Sequence, residues 1–114
     1  MKIPLECYSH TNFVLSSAWQ PAADIYRCKN SWLLKIDLAG VAKKDICLSS
    51  KGHRLTLTGT RRDTVIATNH VIHSMEIAYH QFERVFEFAF DLDDALITTK
   101  YQDGMLHINI QKEG

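Results

Sequence analysis

From about residue 20 onward, apolar and polar side chains alternate with period two, the pattern of strands with one buried face. Ala23 to Cys28 reads as a short strand and Lys29-Asn30-Ser31 as a turn. Trp32, Leu34, Ile36 and Leu38 then share one face, and Ala39-Gly40 breaks the run. Asp45 to Ser49 carries Ile46 and Leu48 on one face, Lys51-Gly52 turns the chain, and Leu55-Thr56-Leu57-Thr58 alternates as far as Gly59. Residues 60 to 74 are less regular and hold only a short strand, around Val71-Ile72. A long aromatic alternation follows: Phe82, Arg84, Phe86, Phe88, Phe90. Asp91 to Ala95 suits one helical turn. Asp103-Gly104 then joins two last strands, because a type I′ hairpin needs positive φ at both central residues. Many short strands with regular turns imply an all-β chain, an antiparallel immunoglobulin-like sandwich of seven to nine strands. Residues 1–19 show no period and read as a short arm, loosely ordered or ordered only by a partner. Pro21 marks the entry to a domain spanning residues 20–114.

Composition narrows the partners. A chain of 114 residues makes one domain with a real core. Thirteen basic residues balance thirteen acidic ones. A neutral chain has no general pull toward nucleic acid or an anionic membrane, and little self-repulsion to oppose association. Cys7, Cys28 and Cys47 form an odd set without C-x-x-C spacing, which argues against a disulfide scaffold and for a reducing compartment. The first seven residues contain no apolar h-region, and no apolar run reaches membrane-spanning length. The expectation is a soluble cytoplasmic domain.

Chemistry is scarce. No nucleophile elbow, Gly-rich phosphate loop or H-E-x-x-H is present, so no catalytic residue and no cofactor are expected. His70-x-x-His73 with His80 is loose for a metal site, and surface histidines are the preferred reading. Asp91-Leu92-Asp93-Asp94 lacks the later Gly and Glu of a calcium loop and reads as a solvated acidic turn. Cys47 reads as inertly packed. Arg84 shares a face with Phe82 and Phe86, where a guanidinium is costly unless acceptors satisfy it. It either snorkels at a rim or pairs across a subunit boundary.

Several segments together carry a family pattern. They are Pro21-Ala-Ala-Asp24-Ile25-Tyr26, Asp37-Leu38-Ala39-Gly40-Val41, Asp45-Ile46 and Leu55-Thr56-Leu57-Thr58-Gly59. Glu76-x-x-Tyr79-x-x-Phe82-x-Arg84-x-Phe86 and Tyr101-x-x-Gly104-Met105-Leu106-x-Ile108 complete it. In this order and spacing the chain resembles the α-crystallin domain of small heat-shock proteins, the Hsp20 family, of the bacterial and plant type, from Pro21 to Lys112. It departs at Ala39 and Ala89, where the family has prolines, at His80 for a Gly, at Ile77 for an Arg, and near Lys100 and Tyr101 for an Ala.

The resemblance implies an ATP-independent holdase of the stress response. Such a protein binds unfolding clients and suppresses their aggregation, and it needs no catalytic residue, cofactor or metal. It also implies a homodimer made by strand exchange, with Val71, Ile72 and His73 pairing with the other subunit's sheet and Arg84 at the interface. Larger oligomers can build on that dimer. The family's groove would be lined here by Ile46, Leu48, Ile97, Thr99 and Tyr101. That groove, with Phe13, Val14, Leu15 and Trp19 of the arm, is where client contact is expected. Members usually carry a C-terminal Ile-x-Ile tail that fills the groove of a neighbouring dimer. Ile108-Asn109-Ile110 imitates it but reads as core, so the tail is expected to be missing and assemblies to be smaller. Ile3-Pro4-Leu5 resembles such a motif at the opposite end, although a frayed start is the preferred reading. The alternative is a p23-like co-chaperone, a monomeric interaction module on a related sandwich.

Overall fold

The structure is a computed structural model that describes residues 19–63 and 69–112. Among them run seven strands: β1 (Ala23–Cys28), β2 (Ser31–Asp37), β3 (Ile46–Lys51), β4 (Arg54–Arg61), β5 (His80–Glu87), β6 (Ala95–Gln102) and β7 (Met105–Lys112). Short 3-10 turns, Lys43–Asp45 and Leu92–Asp94, lead into β3 and β6. One sheet has the order β1-β2-β7-β6 and the other β3-β4-β5. All pairings within the sheets are antiparallel.

Register converts the alternation into a core. Directly opposed residues share a face, so Leu34 opposite Ile108 and Ile36 opposite Leu106 form inner rows of the first sheet. Leu48 opposite Leu57 and Leu55 opposite Phe86 do the same in the second. Leu34, Ile36, Leu55, Leu57, Leu106, Ile108 and Ile110 are fully buried. Each such side chain contributes on the order of 1.5–3 kcal/mol by leaving water. Ile108 and Ile110 are thus core residues, as their place in the alternation indicates.

The closing hairpin turns at Asp103 (φ 55) and Gly104 (φ 76), the two positive values a type I′ turn requires. Its Gly104 carbonyl accepts from the Leu38 N–H at 2.8 Å, so the hairpin tip is stitched to the end of β2.

Four details depart from the pattern. The aromatic strand stops at Glu87, because β4 begins opposite it at Arg54 and offers no further rung. Only the His53 carbonyl remains to accept from the Phe88 N–H, at 2.9 Å, so Phe88 and Phe90 lie beyond the ladder. Val71 and Ile72 form no strand, since a strand needs a neighbour and none of the strands among the described residues flanks them. Trp19 is not part of a loose arm. Its N–H donates to Gln81 and its carbonyl accepts from Glu83, both at 3.1 Å, at the edge of β5. Cys47, expected to be inertly packed, is disulfide-bonded, while Cys28 is a free, exposed thiol. Phe13, Val14, Leu15 and Ile3-Pro4-Leu5 lie outside the described residues.

Candidate functional site

Two features of the described residues mark surfaces open to association, apolar side chains in solvent and a strand edge that no described strand pairs. Among the described residues β1 is an edge strand paired with β2 alone, and its Ile25 and Tyr26 are each 48% exposed. Exposure is greatest between β4 and β5. There Val71 is 90% exposed, Ile72 71%, Ile77 62% and Met75 55%, outside any strand or helix. Four large apolar side chains in so short a segment are costly in water unless something covers them. His73, in the same stretch, is exposed as well.

Arg84 is half-buried on the inner face of β5, opposite Leu57. It donates to the Pro21 carbonyl at 2.8 Å and lies over the Phe86 ring at 4.9 Å. One acceptor and one aromatic face therefore come from its own chain. The Pro21 contact ties β5 to the segment that opens β1.

The expected groove residues divide. Ile46, Leu48 and Ile97 are 4%, 2% and 3% exposed and belong to the core cluster. The reason is the alternation itself: groove-lining and core-lining positions on β3 and β6 are the same inward rows. Thr99 and Tyr101 are half-buried. The Tyr101 hydroxyl lies 2.8 Å from the Leu38 carbonyl and 2.6 Å from that of Val41, sharing one proton between two acceptors. Burial pushes its pKa above the usual phenol value. Tyr101 thereby fastens β6 to the bend after β2, a structural duty that the sequence pattern did not assign.

Trp19 packs on Phe82 with ring centroids 5.4 Å apart, and the Arg61 guanidinium stacks 4.3 Å from its ring. Its indole is half-buried and committed to the fold. Sequence reasoning also missed the Asp45–Arg62 pair, a fork of two hydrogen bonds at 3.0 and 2.9 Å. Arg62 donates to Asp45 strongly enough to hold its carboxyl below the usual carboxylate range, although burial opposes this. No sequence spacing announces a pair seventeen residues apart across a sheet.

His80 opens β5 opposite Arg61, whereas His70 and His73 lie in the exposed segment. Among the described residues no group of three or more His, Cys, Asp or Glu could hold a metal ion. Among them, too, no helix is long and apolar enough to cross a membrane.

The fold is an antiparallel sandwich with exposed apolar side chains between two of its strands. Residues 24–114 match the Hsp20/alpha crystallin family, and the chain belongs to it. Among relatives, small heat shock protein C2 of Rickettsia felis is 29% identical over 93 residues, 82% of this chain and 60% of that protein. Small heat shock protein C4 of the same organism is 28% identical over 91% of this chain and 61% of its own. This chain thus spans about 60% of the length of both. Among solved structures, a small heat-shock protein from Xylella fastidiosa superposes with a TM-score of 0.72 at 28% identity, covering 86% of this chain and 90% of that one. The hspA of Xanthomonas axonopodis gives 0.70 at 27%, covering 85% and 97%. The family is one of chaperones that are generally not enzymes, and the assignment sets aside the p23-like alternative.

Proposed function

We propose that the protein is an ATP-independent holdase whose building block is a homodimer formed by strand exchange. The observation that carries this is the segment from Val71 to Ile77, with four large apolar side chains exposed and no strand partner among the described residues. In the dimer, Val71, Ile72 and His73 add a strand to the free edge of the partner's β1, next to Ile25 and Tyr26. Strand addition satisfies the backbone of both edges and covers the apolar side chains. Arg84 sits close to that junction through Pro21, and its remaining donors meet the partner there. Larger assemblies build on the dimer.

Holding a client requires only that the chaperone bind the unfolded state and so lower its free concentration, which slows aggregation by mass action. Exposed apolar surface does this without nucleotide or catalytic group. Unfolding proteins are the clients in this reading. The test is co-elution. A client heated with the protein should emerge from a sizing column in a soluble complex larger than either component, while the native client elutes alone. Free client and free protein after heating would contradict the reading.

A further inference from the structure

One end of the sandwich stays open, and its lining is neither core nor ordinary surface. The cavity there measures about 340 Å³ and is walled by Arg27, Trp32, Phe88, Phe90 and Lys112, with the Lys29-Asn30 turn at its lip. Its origin lies in the register. Arg27 pairs with Trp32 in β1 and β2, and Lys112 pairs with Ala95 in β7 and β6. These are inward-facing positions of the first sheet, one step beyond its last buried layer. Charged residues there cannot close the core, so the sheets part over an aromatic floor.

The floor is continuous. Trp32 meets Phe88 edge-on with centroids 5.6 Å apart, and Phe88 meets Phe90 at the same distance. Above it, Arg27 lies 5.2 Å from the Trp32 ring and Lys112 5.5 Å from the Phe90 ring. Lys29 adds a third cation at the lip. Glu87 is on the wall, but Arg54 engages it at 2.8 Å. Among the described residues neither Arg27, Lys29 nor Lys112 takes part in an ion pair. The cavity therefore joins an apolar aromatic base to a rim of uncommitted positive charge, on a chain whose net charge is zero.

We propose that this cleft is a docking site for acidic client segments, taking one aromatic or large apolar side chain onto Trp32, Phe88 and Phe90 while flanking carboxylates meet Arg27, Lys29 and Lys112. The inference deepens the holdase reading and rests on it, adding a charge preference that exposed apolar surface alone does not supply. A cation over a ring still has donors to give, and a carboxylate completes them. Rim charges act mainly on encounter rate and selectivity, so the preference is sensitive to salt.

The test is calorimetric titration of the full chain with two short peptides, each with a central phenylalanine, one flanked by glutamates and the other by lysines. The glutamate peptide should bind about tenfold more tightly, and the margin should shrink between about 50 and 300 mM salt. Arg27→Glu with Lys112→Glu should abolish or invert the preference. Lys29→Glu, in the exposed turn, should weaken it in the same sense and serves if the double variant does not fold. Equal binding of both peptides, or an unchanged preference in a folded variant, would overturn the proposal. So would a change in native mass on charge reversal, which would assign the cleft to contact between copies of the chain. Suppression of client aggregation by the same variants separates the two ideas. Suppression intact with the preference absent removes the cleft alone, whereas no suppression by the unaltered chain removes the holdase reading.

Discussion

Asp45 and Arg62 make one pH-dependent contribution to stability. Asp45 is nearly covered, its side chain 9% exposed, and Arg62 keeps its carboxyl ionised below the usual range. A carboxylate with a depressed folded-state pKa stabilises the fold at pH values above its unfolded pKa. That contribution is lost as pH falls through the lower folded value. Replacing Arg62 with Ala should therefore reduce stability at neutral pH and flatten its pH dependence below about pH 4, as read from urea unfolding across pH. A stability profile that keeps its slope would show the pair to be idle. Gly59 is constrained by space. A Cβ there would meet the Asp45 carbonyl oxygen and the tip of the Phe82 ring. Gly59→Ala should cost about 3 kcal/mol in a thermal or urea melt, because neither backbone nor buried ring can yield cheaply. Tyr101→Phe should cost about 1–2 kcal/mol by removing the proton shared between Leu38 and Val41.

Strands make a different kind of claim. The segment holding Val71 and Ile72 buries little of either side chain, since both are largely exposed. Replacing both with Asp should leave the melting of a single chain within about 0.5 kcal/mol, as for other exposed positions. It should nevertheless convert the dimer to monomer in native mass measurements. A dimer that survives the change would put the subunit contact elsewhere. This is also where reading from sequence reached its limit. The strands that pair within the chain were legible, because Leu34, Ile36, Leu55 and Leu57 alternate where their partners also alternate. The Asp103-Gly104 turn was legible because backbone geometry restricts who can occupy it. The ends were not. Phe88 and Phe90 continue the aromatic period, but their rungs depend on how far β4 extends, and no local signal carries that. Trp19 looked irregular because its anchor, Phe82, lies sixty-three residues away.

At the scale of the whole molecule, alternation in Ile46, Leu48 and Ile97 shows which way each side chain points. It does not show whether the gap between the two sheet edges is open, and these residues are buried. The aromatic cleft at the other end was hidden for the same reason, since Trp32, Phe88, Phe90 and Lys112 come together only when two sheets stack. What remains outward is an exposed apolar segment, an open strand edge and a cationic cleft, on a domain of the Hsp20/alpha crystallin family. The proposed capture of other chains rests on those features. The most direct measurement is light scattering of a heat-unfolded client, without nucleotide, at increasing ratios of this protein. The expected result is scattering that falls steadily and is abolished near one subunit per client. Scattering unchanged at a several-fold excess of the protein would contradict the account.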